Sequence, residues 1–203
     1  YFIMITTIDN EVVNDFGLPY SKSLTKEEGK FIYKEEDVDT EEIEMNLTLI
    51  DEATNNISKT LNVLPEEIIY TSGATESNNL AIRGVAERYK NRGKHIIVSS
   101  LEHTSIIASC TYLQENGFDI DLIPINNDGL INIDELKKMI RKDTILVSVC
   151  AVDSEIGLTQ PIESIGKLLK DYENIIFHTD ASQAIGKVKI DYSNCDLITI
   201  APH

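Results

Sequence analysis

Residues 67–79 read EIIYTSGATESNN and join a short apolar segment to a helix-like one through a turn at Ser72–Gly73. A strand that ends at such a turn and continues as a helix leaves the first backbone N–H groups of the helix without partners. Those amides and the helix dipole favour an anion, commonly a phosphate group. Many strand–turn–helix junctions contain Gly and Thr and bind nothing, so an ordinary junction is the alternative interpretation.

Strands and helices alternate along the chain from about residue 53. The predicted strands are Glu67–Thr71, His95–Ser99, Asp119–Ile123, Ile145–Cys150, Ile175–Thr179 and Leu197–Ile200. The predicted helices are Glu52–Leu61, Glu76–Tyr89, Thr104–Glu115, Ile133–Ile140 and Pro161–Lys170. The run ILVSV at 145–149 is apolar on both faces, as expected for a strand that helices cover on both sides. The pattern predicts an α/β fold, namely a three-layer αβα sandwich with a mostly parallel sheet.

Four of the predicted strands end directly before candidate functional segments. Their last residues are Thr71, Ser99, Cys150 and Thr179. Open parallel sheets bind ligands at the carboxyl ends of their strands. We therefore expect a ligand site at this edge of the sheet.

The composition excludes several classes of protein. The 203 residues are 42% hydrophobic and 26% charged, which is typical of a globular protein with a sizeable core. A net charge of −16 argues against nucleic acid, which requires clustered Lys and Arg, and no apolar run is long enough to span a membrane.

The N-terminal quarter of the chain differs from the rest. Residues 27–52 are strongly acidic, and we predict a solvated or partly disordered loop, with a binding site for a basic partner as the alternative. We therefore divide the chain into an N-terminal segment with an acidic loop, residues 1–50, and a large domain, residues 51–203.

The three cysteines, Cys110, Cys150 and Cys195, are widely spaced and include no CxxC pair. This pattern suits a reducing compartment and offers no metal-site spacing. Cys110 falls in a predicted helix and Cys150 ends a predicted strand, so we expect both to be buried packing residues. His178 and Asp180 form an HxD pair, but two ligands without a third do not define a metal site, and we predict none.

Asp180 and His103 are the main candidates for chemistry. A carboxylate at the end of a buried strand is costly unless it meets a cation or hydrogen-bond donors. Asp180 is therefore a candidate to bind a cationic group, and an N-cap for a helix at 181–183 is the alternative. An imidazole such as that of His103 can stack on a ring and relay protons near neutral pH. An isolated His after a strand is otherwise usually a polar loop residue.

Six separated segments together resemble the cysteine desulfurases, which are pyridoxal-phosphate enzymes of the class V aminotransferase group. In the order of that family they are TSGATESNNLAIR (71–83), LEHT (101–104), DTILVSVC (143–150), EIG with QPI (155–157 and 160–162), FHTDASQAIGKV (177–188) and DLITIAPH (196–203). The resemblance covers about residues 50–203 and is weak before residue 50. It implies the large domain of a fold type I pyridoxal-phosphate enzyme, incomplete at its C-terminus, behind a diverged N-terminal segment.

The resemblance also implies roles for individual residues. Pyridoxal 5′-phosphate would be bound by Gly73, Ala74, Thr75, Ser154, Asp180, Gln183 and His203, with His103 as the catalytic residue. Asp180 would pair with the protonated pyridine nitrogen, which makes the ring an electron sink. His103 would stack over the ring and move the substrate's protons. Thr75 would bind the phosphate, and Gln183 would donate to the phenolic oxygen.

The expected activity of the parent enzyme follows from the same resemblance. It would convert L-cysteine to L-alanine and pass the sulfur, as a persulfide on a cysteine beyond residue 203, to an acceptor or iron–sulfur scaffold protein. The sulfur would serve iron–sulfur cluster assembly or tRNA thiolation. The resemblance further implies a homodimer in the cytoplasm or mitochondrion. The family has its cofactor-binding lysine directly after the position of His203, so we expect residues 1–203 alone to be inactive.

The chain departs from the family pattern at several positions. Ile5 and Ile8 replace an Ala and a Pro in the opening segment. Asp153 and Ser154 replace two Asn, and we expect the shorter side chain and the added charge to hold a substrate carboxylate less well. Ala201 replaces a residue with a phosphate-binding hydroxyl, and losing one such hydrogen bond costs about 1.5–3 kcal/mol.

These departures keep two alternatives open. One is a diverged, non-catalytic homologue that acts as a binding or scaffold subunit. The other is a different class V enzyme, such as a selenocysteine lyase or an aminotransferase. The TSGATESNN and EIG segments favour the desulfurase branch.

Overall fold

The computed structural model describes residues 2–6, 25–27, 30–32 and 40–201, with side chains from residue 49 onward. His203, a predicted site residue, and Ile8, a departure from the family pattern, lie outside the described residues, and Ile5 is described by its backbone only. The chain forms two compact units, one of Tyr1–Thr6 with Glu66–His203 and one of Thr7–Pro65.

The described residues of the smaller unit form two short strands and one long helix. Strands β2 (Thr25–Glu27) and β3 (Lys30–Ile32) pair antiparallel, and helix α1 spans Thr40–Leu61. The prediction of a loop over the whole acidic stretch is therefore wrong, because its second half is helical. Thr followed by acidic residues is a favourable helix start, since negative charge near the first turn interacts with the helix dipole.

Helix α1 is continuous across residue 50, where the sequence suggested a boundary. The compact units divide at residue 65 instead. The role of residues 51–203 as a cofactor-binding domain stays a prediction.

The larger unit contains seven strands and four helices among its described residues. The strands are β1 (Phe2–Thr6), β4 (Ile68–Thr71), β5 (His95–Ser99), β6 (Asp119–Ile123), β7 (Thr144–Ser148), β8 (Ile176–Asp180) and β9 (Leu197–Ile200). The helices are α2 (Ala74–Tyr89), α3 (Thr104–Glu115), α4 (Ile133–Met139) and α5 (Ile162–Leu169). Every strand and helix predicted between residues 67 and 200 is confirmed, with ends that differ by at most about two residues.

The sheet has the order β4-β1-β9-β8-β7-β5-β6, and all its strand pairs are parallel. From β4 through β5 to β6 the chain moves across the sheet in one direction, and from β6 through β7 and β8 to β9 it returns. Because crossovers between parallel strands are right-handed, α2 and α3 cover one face and α4 and α5 the other. The contacts agree, since α2 packs on α3 and α4 packs on α5. The predicted three-layer αβα sandwich is confirmed.

A buried hydrophobic cluster lies between the sheet and the α2–α3 layer. Its members include Ile82 of α2, Ile106 of α3, and Ile96 and Val98 of β5. All five residues of β5 are buried, as are all five of β7. A strand buried along its whole length must be covered on both faces, because successive side chains point to opposite sides of the sheet.

No helix within the described part of the chain is both long and apolar enough to cross a lipid bilayer.

We expect Ile106→Ala to lower the free energy of unfolding by about 2–5 kcal/mol, because the fully buried side chain would leave a cavity against the sheet. The matched control is Ile107→Ala on the same helix, where the side chain is 37% exposed and the expected loss is about 1 kcal/mol or less. Urea unfolding measures both. Equal losses for the two variants would contradict the placement of α3.

Candidate active site

The strand order creates a crevice at the carboxyl ends of β5 and β7. The connection that follows β5 runs toward one edge of the sheet and the connection that follows β7 runs toward the other, and ligands bind at such a reversal. An open pocket of about 480 Å³, counted out to the solvent at its mouth, lies there. It is lined by Ala74, Leu101, His103, Cys150, Val152, Ser154, Asp180, Ser182 and Gln183.

Five of the predicted site residues therefore line one pocket: Ala74, His103, Ser154, Asp180 and Gln183. Gly73 and Thr75 flank Ala74 at the start of α2. These positions agree with the expectation of a ligand site at the carboxyl edge. Their roles toward a ligand stay predictions.

The start of α2 is an uncapped helix end beside open space. Gly73 is the N-cap residue, and no side chain caps the first amides. A Cβ atom added at Gly73 would meet no other atom within 4 Å, so there is room beside the helix terminus. Glu76 holds the preceding turn in place, because its Oε2 accepts from both the N–H (2.6 Å) and the O–H (2.7 Å) of Ser72. These hydrogen bonds lower the pKa of Glu76.

Asp180 is the last residue of β8 and is 8% exposed. Its Oδ1 accepts from the Ser182 N–H at 2.9 Å, and its Oδ2 accepts from Asn78 Nδ2 at 2.7 Å. The hydrogen bond from the Ser182 N–H resembles that of an N-cap residue, which was the alternative role predicted for Asp180. Residues 182–187, however, form turns and not a helix. Both carboxylate oxygens thus have a donor, and the group still faces the pocket.

His103 is the N-cap residue of α3, and its exposed ring lines the pocket. Its Nδ1 accepts from the Ser105 N–H at 3.2 Å and lies 2.8 Å from Ser105 Oγ. These contacts place Nδ1 toward the helix start and leave Nε2 as the nitrogen not engaged with Ser105.

Glu102 is a site residue whose role the sequence did not indicate. Its Oε1 accepts from the Cys150 N–H at 2.7 Å, whereas Oε2 is buried and has no hydrogen-bond partner in the part of the chain that the structure describes. Burial, and next the nearby charge of Asp180, raise the pKa of Glu102 to about 8, although hydrogen bonds from Cys150 and Ser99 oppose the shift. Glu102 is therefore largely protonated at neutral pH.

The three cysteines are free and buried, as predicted for Cys110 and Cys150. Cys150 lines the pocket, and its Sγ lies 3.5 Å from the carbonyl oxygen of Leu101. Burial raises the pKa of Cys150, and it raises the pKa values of Cys110 and Cys195 to about 12. Each is therefore a neutral thiol at neutral pH, and we assign none as a nucleophile.

Asp153 stabilises a turn, and its side chain is buried and hydrogen-bonded within that turn. It is 5% exposed, and its Oδ1 accepts from the N–H groups of Glu155 (3.1 Å) and Ile156 (2.7 Å). Its neighbour Ser154 is exposed and lines the pocket. The departure at Ser154 thus lies at the pocket, whereas Asp153 stabilises the adjacent turn.

His178 has hydroxyl partners on both ring nitrogens within the sheet. Its Nδ1 lies 2.9 Å from Ser148 Oγ, and its Nε2 lies 3.0 Å from Thr199 Oγ1. Burial lowers the pKa of His178 to about 4, so the ring is neutral at neutral pH. Across the residues described, no group of three or more His, Cys, Asp or Glu side chains is arranged to hold a metal ion.

Comparison with known proteins identifies similar sequences. The family model for aminotransferase class-V matches residues 37–203. A mitochondrial cysteine desulfurase of Candida maltosa is 50% identical over 156 residues, which are 76% of this chain and 32% of the relative. Cysteine desulfurase IscS of Dictyoglomus turgidum is 44% identical over 158 residues, 77% of this chain and 40% of the relative. The chain thus spans about a third of the length of these curated relatives.

Solved structures agree with the sequence matches. DndA from Streptomyces lividans superposes with a TM-score of 0.75 at 32% identity, over 80% of this chain and 46% of that one. The structure described as SspA in complex with cysteine superposes with a TM-score of 0.74 at 34% identity, over 96% of this chain and 54% of that one. These similarities support the fold.

We expect Glu102→Gln to remove a pH dependence of stability. A folded-state pKa of about 8, above the ordinary Glu value of 4.5, means that the folded state keeps a proton which the unfolded chain releases. Glu102 therefore destabilises the fold progressively as the pH rises from about 4.5 to about 8, by at most about 1.4 kcal/mol per pH unit.

Urea unfolding of the wild-type protein and of Glu102→Gln from about pH 5 to about pH 9 measures this effect. The stability advantage of the Gln variant should grow up to about pH 8 and then level off. Glu115→Gln, at an exposed position at the end of α3, is the control and should follow the wild type. A constant difference between Glu102→Gln and the wild type across the range would show that Glu102 is ionised throughout.

Proposed function

Because this chain belongs to the aminotransferase class-V family, we propose that it forms most of the cofactor pocket of a pyridoxal-phosphate-dependent cysteine desulfurase. The parent enzyme would convert L-cysteine to L-alanine and transfer the sulfur to an acceptor protein. The cysteine desulfurases among the relatives support this branch of the family. The structural neighbour described in complex with cysteine supports L-cysteine as the substrate.

The observation that carries the proposal is the buried Asp180 carboxylate at the base of the pocket. A charged carboxylate in a recess is well suited to a cationic ring nitrogen. Other features of the pocket fit the same cofactor. The uncapped start of α2 with open space beside Gly73 suits a phosphate group. Ser182 lines the pocket, and its buried hydroxyl has no hydrogen-bond partner among the described residues, so it can serve a ligand.

When it is bound, pyridoxal phosphate supplies an electron sink for a carbanion at the substrate's α-carbon. Asp180 would hold a proton on the ring nitrogen through its carboxylate, which Asn78 and Ser182 keep in place. The first amides of α2 and the Thr75 hydroxyl would bind the phosphate. Gln183 would donate its amide to the phenolic oxygen, and His103 would stack on the ring and hold a proton next to the substrate.

The partners and the compartment belong to the same proposal. The acceptor would be a sulfur-carrying or iron–sulfur scaffold protein, and the sulfur would serve cluster assembly or tRNA thiolation. We also propose a homodimer in the cytoplasm or the mitochondrion. Relatives named as mitochondrial enzymes and relatives from bacteria support both compartments.

We expect Asp180→Asn to reduce kcat/KM for L-cysteine by about ten- to a hundredfold, because a neutral amide cannot pair with a protonated ring nitrogen. The measurements are sulfide release under reductant and cofactor content by visible absorbance, both in the full-length protein. Asp171→Asn, at an exposed position, is the matched control and should match the wild type. A folded wild-type protein that takes up no pyridoxal phosphate would overturn the proposal and favour a non-catalytic scaffold subunit.

We expect Ser154→Asn to lower KM for L-cysteine by about three- to tenfold, because the longer side chain brings amide donors into the pocket for the substrate carboxylate. Steady-state sulfide release measures the change. Ser164→Asn, at an exposed position on α5, controls for the substitution itself. An unchanged or higher KM would contradict a substrate-facing position for residue 154.

A further inference from the structure

A continuous chain of hydrogen bonds joins Asp180 to His103 below the pocket. Asn78 Nδ2 donates to Asp180 Oδ2 at 2.7 Å and to Ser105 Oγ at 3.0 Å. Ser105 Oγ in turn lies 2.8 Å from His103 Nδ1. Asn78 and Ser105 are 0% and 5% exposed, so water does not compete strongly for these contacts. Two buried side chains, from α2 and α3, thus connect the two pocket residues with the clearest chemical roles.

The direction of each hydrogen bond in this chain is determined. An ionised carboxylate only accepts, so the Asn78 atom next to Asp180 must be the amide nitrogen. That nitrogen has two hydrogens, and the second one points to Ser105 Oγ. Since Ser105 Oγ accepts there, its own hydrogen is available for His103 Nδ1.

A backbone hydrogen bond at the start of α3 also indicates that His103 Nδ1 is an acceptor. The Ser105 N–H also donates to His103 Nδ1, at 3.2 Å. A nitrogen that accepts from an N–H group and an O–H group cannot carry a proton itself. A neutral His103 therefore has its proton on Nε2.

We propose that Asn78 and Ser105 are positioning residues that hold His103 as the Nε2–H tautomer and tie its orientation to that of Asp180. In this state the neutral ring presents an N–H donor to the pocket and not a lone pair. His103 would then first donate a hydrogen bond to the substrate. His103 could accept a proton at Nε2 only after its own proton has moved to Nδ1, where the hydrogen bond with Ser105 Oγ would have to reverse its direction. The importance of this tautomer for catalysis rests on the proposed function, whereas the tautomer itself does not.

The tautomer is measurable in the full-length protein without cofactor. The ¹⁵N chemical shifts of the two ring nitrogens in histidine-labelled protein distinguish the tautomers, and a His103→Gln variant assigns the His103 signal. We expect the Nε2–H form for His103 in the wild type above neutral pH. A wild-type spectrum in which His103 has the Nδ1–H form, or an equal mixture of the two forms, would overturn the proposal.

Substitutions at Ser105 separate the side chain from the backbone amide. Ser105→Ala should shift His103 toward a mixture of tautomers and reduce kcat/KM for L-cysteine by about three- to tenfold. Ser105→Thr, which keeps the hydroxyl, should restore both. Asn78→Ala should shift the tautomer in the same direction as Ser105→Ala. An unchanged tautomer in Ser105→Ala would show that the backbone amide alone sets it, and would overturn the role of the side chain.

Ser109→Ala is the matched control. Ser109 is a fully buried serine on the same helix whose hydroxyl lies within hydrogen-bond distance of the Ser105 carbonyl oxygen (3.0 Å) and of Asn79 Oδ1 (2.9 Å), and neither contact involves His103. Removal of the Ser109 hydroxyl should leave the His103 tautomer unchanged. A tautomer shift in Ser109→Ala as large as that in Ser105→Ala would mean that both variants act by loosening α3, and would contradict a specific role of Ser105. A wild-type protein with the Nε2–H tautomer that releases no sulfide would contradict the proposed function and leave the hydrogen-bond chain established.

Discussion

An ionised carboxylate buried at the end of a central strand is the constraint on which the pocket depends. A carboxylate removed from water is tolerated only where donors replace the water. Strand β8 places Asp180 at the base of the pocket, the turn that follows supplies the Ser182 amide, and α2 supplies the side chain of Asn78. One side chain thus ties together a strand, a turn and a helix. Loss of any of these donors would leave the carboxylate incompletely hydrogen-bonded.

Two carboxyl groups lie close to one another beside this pocket, and their surroundings differ. Asp180 has a donor on each oxygen, whereas Oε2 of Glu102 is buried and has no hydrogen-bond partner among the described residues. Burial, and then the charge of Asp180, raise the pKa of Glu102 to about 8, so that Glu102 keeps its proton at neutral pH. A protonated Glu102 adds no second negative charge next to Asp180.

Much of the candidate site was predictable because parallel α/β sheets place the ends of their strands along one edge. The sequence therefore identified Ala74, His103, Ser154, Asp180 and Gln183, which the structure brings to one pocket. It did not identify Asn78, Ser105 or Glu102 as residues that support the pocket lining. Asn78 lies within the conspicuous segment TSGATESNN, but its hydrogen-bond partners are 27 and 102 residues away along the chain. The helix over the acidic stretch was missed because the density of charge suggested a solvated loop.

The sequence by itself determined the order and type of the elements from residue 67 to residue 200, since apolar periodicity and turn residues are local properties. It also determined which chemical groups follow the ends of the strands. Only the tertiary structure decided which polar groups meet, which nitrogen of His103 accepts a hydrogen bond, and which carboxyl group keeps its proton. The physical reason is that hydrogen-bond partners and desolvation depend on distances in space between residues far apart in the chain, and local patterns do not encode those distances.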